Sequence, residues 1–118
     1  MKHSDFLEGD VAIVELGGRV MAGDDTTKIH GKVQYYLGLN KKHFVFDLNK
    51  VEWMSSAGLG ALIASHASVA KAGGRMVLAN VTNIEALLAM TRLITVFETF
   101  DDRKSAIASL SAHAHSGN

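Results

Sequence analysis

The feature that most constrains this chain is the run Phe44-Val45-Phe46-Asp47-Leu48, apolar on both alternations until Asp47, followed almost at once by an apolar stripe at helical spacing. Such a run suits a strand covered on both faces or lying centrally in a sheet. From Ser56 to about Ala72, the residues Leu59, Leu62, Ile63, His66 and Val69 or Ala70 recur at i, i+3, i+4 and i+7, and Gly73-Gly74 supplies a helix stop. Arg75-Met76-Val77-Leu78-Ala79 reads as a second buried strand. Two buried strands joined by a helix of crossover length run parallel, with the helix packed on the sheet.

The same alternation extends in both directions. Val11-Ala12-Ile13-Val14-Glu15-Leu16 is a β-branched strand closed by Gly17-Gly18, with Arg19-Val20-Met21 continuing past that turn. Gly23-Asp24-Asp25 offers a helix N-cap, and Ile29, Val33 and Tyr36 or Leu37 mark one helical face to about Leu39. Ile84, Leu87, Leu88 and Leu93 indicate a third helix within residues 83–92, and residues 96–100 alternate as a short edge strand. Asp101-Asp102 caps a last helix carrying Ile107 and Leu110, and residues 112–118 have nothing to bury and are expected to fray. The order β-β-α-β-α-β-α-β-α predicts one α/β domain over residues 1–118, a small mixed sheet with crossover helices and a core over about residues 8–111.

Composition narrows the function classes. A chain of 118 residues builds one core rather than two, and 47% hydrophobic against 20% charged residues is an ordinary globular balance. Twelve basic residues match twelve acidic ones, so no net field draws the chain to a phosphate backbone, and nucleic acid is excluded as an expected partner. Absence of cysteine removes disulfides, thiolate ligands and thiol nucleophiles, and leans toward the cytoplasm. The segment Met1-Lys2-His3-Ser4-Asp5-Phe6-Leu7-Glu8 has acids where a signal peptide needs an apolar run. No stretch approaches the ~20 apolar residues of a membrane span, so membrane insertion is not expected.

Several residues invite a site and read more simply as structure. Gly58-x-Gly60 and Gly73-Gly74 lack the third glycine, or the Lys-Ser/Thr, of phosphate-binding loops, so no cofactor is expected. His66 has no Asp, Glu or Cys at i±3 or i±4, and His113 and His115 form only an i, i+2 pair, so no metal site is expected. Asn40-Lys41-Lys42-His43 reads as a solvated turn. Trp53 alternates with Val51 and is assigned to the core rather than to a docking surface.

The remaining candidate is the turn containing Ser55 and Ser56. One of the two serines is expected to cap the following helix. A Gly-x-Ser-x-Gly elbow is not formed, because Met54 stands at the first glycine position, and no catalytic residue is assigned. Phosphorylation fits the physics, since a helix start presents unpaired N–H groups and the positive end of the dipole.

The stretch from Phe44-Val45-Phe46-Asp47-Leu48 through Val51-Glu52-Trp53-Met54-Ser55-Ser56-Ala57-Gly58-Leu59-Gly60 resembles the signature of STAS domains in bacterial anti-sigma factor antagonists. That signature is a hydrophobic strand ending Asp-Leu, a short connection, then Asp-Ser-Ser/Thr-Gly-Leu-Gly. In element order the resemblance covers residues 11–110. It implies a non-enzymatic regulator that, when unphosphorylated, binds an anti-sigma factor or serine kinase of the histidine-kinase-like ATPase type and frees the sigma factor. Phosphorylation by that kinase breaks the complex, and a metal-dependent serine phosphatase restores it. Carried over by position, the phosphorylated residue is Ser56, with Ser55 as the alternative, and the partner-binding turn is Met54, Ser55, Ser56, Ala57 and Gly58.

Three positions depart from the pattern. Ser55 replaces the acid before the phosphoserine, Ala57 replaces the second Ser or Thr, and Met21 replaces the acid ending a Gly-x-Leu-Asp turn at Gly18-Arg19-Val20-Met21. The turn is therefore less negative than the pattern, and a kinase that reads those acids reads this chain differently. A STAS module serving as scaffold or subunit in a signalling or transport assembly is the alternative. A hydrolase using Ser56 rests only on the Ser56-Ala57-Gly58 fragment.

Overall fold

The two apolar runs at 44–48 and 75–79 lie side by side and parallel at the centre of a five-stranded sheet. The structure, a computed structural model, describes residues 1–92 and 95–116, with side chains as far as residue 111. In chain order the elements are β1 (Lys2–Glu8), β2 (Val11–Val20), α1 (Asp24–Gly38), β3 (His43–Met54), α2 (Ser56–Lys71) and β4 (Arg75–Ala79). A 3-10 turn (Thr82–Ile84), α3 (Glu85–Met90), β5 (Glu98–Phe100) and α4 (Arg103–Ser116) complete them. The sheet order is β1-β2-β3-β4-β5, with β1 antiparallel to β2 and every later pair parallel.

Strand order that follows chain order makes each crossover step in the same direction, and crossovers of one hand then stack their helices on one face. Side chains of α1, α2 and α3 (Ile29, Val33, Leu62, Val69, Leu88) pack with Val14, Phe44, Phe46 and Leu78 in one cluster. The opposite face, Val11, Ile13, Val45, Val77 and Ala79, is covered by Ala106 and Leu110 of α4. Because both faces are covered, Phe44, Val45 and Phe46 are all fully buried, as their lack of alternation predicts.

Four sequence expectations change. The first strand pair is 2–8 with 11–20, not 11–16 with 19–21, so ordered structure begins ahead of the expected start near residue 8. Gly17 and Gly18 do not end β2; the strand passes through them, Gly18 at φ 71°, and a side chain at Gly17 would press on Lys50 Cβ at 3.1 Å. The third helical segment is a 3-10 turn followed by a helix of six residues, and Leu93 of its expected stripe lies outside the described residues. Helix α4 continues through 112–116, where fraying was expected; Gly117 and Asn118 lie outside the described residues. Asp102 does cap it, accepting from Ser105 N–H at 2.7 Å.

Asp47, the one charge in the central apolar run, is only 6% exposed. Its carboxylate accepts from Asn49 N–H at 3.0 Å, Asn80 Nδ2 at 2.9 Å and Arg103 Nε at 2.9 Å. Arg103, the first residue of α4, also pairs with Glu15 of β2 and lies 5.6 Å from the centre of the Phe6 ring. A buried carboxylate is tolerated only when its oxygens are satisfied, and here the donors are the residue following β4, the first residue of α4 and the β3 backbone two residues on. Ser4 Oγ donates to Glu15 at 2.8 Å, and that bond, then Arg103, holds the Glu15 carboxyl below its ordinary range against partial desolvation.

A depressed carboxyl pKa stabilises the fold above the unfolded value of about 4.3, and that contribution disappears as pH falls through the folded value. Arg103→Met is expected to lower unfolding free energy by about 2–3 kcal/mol in urea titrations at pH 7, because Asp47 stays buried without its cation. The part of the loss that comes from Glu15 should disappear on acidification, as pH falls below about 4.3 and through the depressed value of the Glu15 carboxyl. A change under about 0.5 kcal/mol at pH 7 would contradict the assigned role.

Candidate functional site

The candidate turn sits where β2 and β3 run on beyond the rest of the sheet. Strand β4 pairs only with His43–Asp47, so the later part of β3 continues alongside β2 alone. Two register shifts fall in this stretch. Glu15 pairs with Asp47 but Gly17 with Lys50, and Gly18 pairs with Val51 but Arg19 with Trp53. Each shift adds a residue to β3, as a bulge does, and resets which side chains face the core. The inward series accordingly steps from Leu48 to Val51 to Met54.

This geometry overturns the assignment of Trp53 to the core. Counting by twos from Val51 puts Trp53 inside, but the extra residue Glu52 rotates it outward, where it is 43% exposed with the Arg19 guanidinium 4.8 Å from its ring centre. Met54 takes the inward position and is 4% exposed, so it shapes the turn from beneath and offers no side chain to a partner.

The two serines have different jobs. Ser55 is the N-cap of α2, at φ −74° and ψ 164°: its N–H donates to Val20 O at 2.9 Å and its Oγ accepts from Gly58 N–H at 3.0 Å. Ser56 is the first helical residue and is exposed, and among the described residues its Oγ makes no hydrogen bond. Ala57 is also exposed, whereas Gly58 is buried. A Cβ on Gly58 would lie 2.9 Å from Val20 Cγ1, 3.0 Å from Met54 Cγ and 3.3 Å from Val20 O. Glycine is therefore required by close approach of helix to strand, not by backbone freedom.

The electrostatics favour an anion here. Helix α2 has no acidic residue in its first turn, and two of the N–H groups at its start, those of Ser56 and Ala57, belong to exposed residues. Met21, on the strand end beside the turn, is exposed and uncharged; its N–H donates to Asp25 Oδ2 at 2.8 Å. Two grooves of the described residues lie elsewhere. A groove of about 590 Å³ is lined by Lys2, Ser4, Gly17, Lys50 and Glu52 among others, and one of about 310 Å³ by His3, Asp5, Lys28 and Tyr35 among others; neither includes any residue of 54–58.

Nucleophilic activation of Ser56 has no support in this arrangement. His66 lies ten residues further along α2, about 15 Å at the helical rise, and packs edge-on against Phe97 with ring centres 5.3 Å apart. Among the described residues no three His, Asp or Glu side chains converge as metal ligands, and the side chains of His113 and His115 lie outside those described. No helix is long and apolar enough to cross a membrane among the described residues.

A sheet of this order with a capped helix start after β3 is the architecture of the STAS domain, and the STAS domain family model matches residues 7–106. The chain belongs to the STAS domain family. Among solved structures it is similar to a Thermotoga maritima protein assigned as an anti-sigma factor antagonist, at TM-score 0.83 and 19% identity, covering 92% of this chain and 94% of that one. It is similar to the anti-sigma factor antagonist SpoIIAA in its unphosphorylated form (TM-score 0.73, 13% identity, 92% and 96% covered) and to Bacillus SpoIIAA in its phosphorylated form (0.72, 14%, 92% and 98%). A sulfate transporter family protein from Wolinella succinogenes is also similar, at TM-score 0.73 and 18% identity over 93% of this chain and 92% of that one. At these identities the likeness is one of fold. No curated protein matches the sequence.

Gly58→Ala tests the close approach. Alanine is the better helix former by about 1 kcal/mol, yet the forced contacts with Val20 and Met54 should reverse the sign and cost about 1–3 kcal/mol in a denaturant titration. A stabilised Gly58→Ala protein would show that the helix start is not pinned to β2.

Proposed function

We propose that this chain is an anti-sigma factor antagonist that works by partner switching, with Ser56 as the switch. The observation that carries the proposal is the exposed, unbonded Ser56 hydroxyl on the first residue of α2, next to a Ser55 hydroxyl already spent on the cap. In the unphosphorylated state Ser55, Ser56 and Ala57 form an uncharged convex surface, backed by Met54 and Gly58, that docks on an anti-sigma factor or serine kinase of the histidine-kinase-like ATPase type. Transfer of the γ-phosphoryl group of ATP to Ser56 Oγ, with loss of the hydroxyl proton and departure of ADP, adds about −1.5 to −2 charges and ends that docking. A serine phosphatase reverses it by hydrolysis. The protein itself is non-enzymatic and works in the cytoplasm.

The helix start suits the modification, because the positive end of the dipole lies under the phosphate and no acid of the first turn opposes it. Similarity to SpoIIAA, solved in phosphorylated and unphosphorylated forms, supports the same reading. A second reading, a STAS scaffold or subunit regulated in another way, is favoured by Met21 and Ser55 in place of acids and by the similarity to a sulfate transporter family protein.

Incubation with ATP and the cognate kinase, followed by mass spectrometry, is expected to place one phosphate on Ser56 in the wild-type and Ser55→Ala chains and none on Ser56→Ala. Ser56→Asp should weaken capture of the kinase by at least about tenfold, while Ser56→Ala binds constitutively. Phosphate on Ser55, or on neither serine, would overturn the switch. Kinase binding indifferent to Ser56→Asp would favour the scaffold.

A further inference from the structure

We infer that β1 is a self-association edge, through which two copies of this chain join their sheets antiparallel about a two-fold axis at Asp5. The two edges of the sheet are treated differently. Strand β5 offers only three residues, and its Glu98 is held by the Arg75 guanidinium at 2.6–3.1 Å. Strand β1 offers seven residues in unbroken register with β2, with no bulge, and the chain has no proline. Bulges, proline and shortness guard many edges and β1 has none of them; the guard it does carry is charge, at Lys2, Asp5 and Glu8. The charge near its middle, Asp5, is committed to Lys32 and Tyr36 of α1.

Exposed apolar surface gathers at the same edge. Among the described residues Phe6, Leu7, Tyr35 and Leu39 are four of the eight exposed large hydrophobic side chains, and they belong to β1, α1 and the residue closing α1. Tyr35, 61% exposed, borders β1 across the small groove it shares with His3 and Asp5. Leu39 follows it at i+4 on the same helical face. A partner strand added to β1 would bring a second Tyr35 and Leu39 to the α1 face, which Leu7 shares, while Phe6 points to the opposite face, toward Arg103.

Charge chooses the occupant. Side chains directly opposite in an antiparallel pair share a face, so a two-fold axis normal to the sheet must pass through a residue. Only an axis at Asp5 pairs all seven residues of β1. That register sets Ser4 opposite Phe6, His3 opposite Leu7 and Lys2 opposite Glu8, twice over. Lys2 and Glu8 are exposed, and among the described residues neither side chain has an ion-pair or hydrogen-bond partner in its own chain. The strand thus carries an unused cation at one end and an unused anion at the other, complementary to a second copy of itself. The Asp5 carboxylates, which meet at the axis, each keep the Lys32 ammonium of their own chain.

Sedimentation equilibrium of the whole chain tests this. Wild type should dimerise with a Kd below about 100 μM. Lys2→Glu and Glu8→Lys each place like charges opposite one another and should raise the Kd about tenfold or more, whereas Lys2→Glu with Glu8→Lys should restore it to within about threefold. Circular dichroism melts of the three variants establish that each is folded, as expected for exposed, unpaired positions. A wild-type chain that stays monomeric at about 100 μM would overturn the inference, as would a dimer indifferent to the single reversals or not rescued by the double one.

Discussion

The first turn of α2 lies so close to the end of β2 that only glycine fits between them, and this contact decides what the surrounding residues can do. Gly58 sits against Val20 and Met54, and Ser55 ties the same turn down twice, by its N–H to Val20 O and by its Oγ from Gly58 N–H. With Ser55 used as the cap and Gly58 buried, the side chains left facing outward are those of Ser56 and Ala57. The Ser56 hydroxyl is thus carried on a pinned helix start, in a field favourable to an anion. That combination is the basis of the switch proposed for Ser56.

The turn inherits its placement from the sheet. Strand β3 carries both the buried Asp47 and, beyond two inserted residues, the turn itself. Asp47 draws Asn80 from beyond β4 and Arg103 from α4 into one network, and Arg103 reaches on to Glu15 of β2. Among the described side chains of α4, Ala106 and Leu110 are buried against the sheet and Ile107 is partly buried, and the charge network at Arg103 fastens the start of the same helix. The α2 turn and the α4 face are thus two outcomes of the same strand, one governed by close packing and the other by satisfaction of a buried charge.

How far this was legible in the sequence depends on range. The central strands and α2 were readable because burial on both faces, helical period and the Gly73-Gly74 stop are local patterns. Strand β1 was not, because an edge strand with most side chains in solvent needs no apolar alternation: Lys2, Ser4 and Glu8 carry no such signal. Trp53 and Met54 were exchanged because a two-residue period cannot register an inserted residue. The division of labour between Ser55 and Ser56 required the Val20 carbonyl, which the chain brings to Ser55 from far away in sequence. The pairing of Asp47 with Arg103 likewise joins distant elements, and nothing near either residue announces it. The resemblance located the turn, and the geometry shows that Ser55 caps the helix while Ser56 is exposed.

Partner switching of this kind needs a phosphate that alters the surface while leaving the helix intact. Thermal unfolding of the chain carrying phosphoserine at position 56, compared with the unmodified chain in the same buffer, measures that directly. A helix start that accepts the phosphate predicts an unchanged Tm or a rise of up to about 5 °C, the scale of a favourable charge at a helix N-terminus. A fall of comparable size would show that the phosphate disrupts α2, and would contradict a switch that acts by surface charge alone.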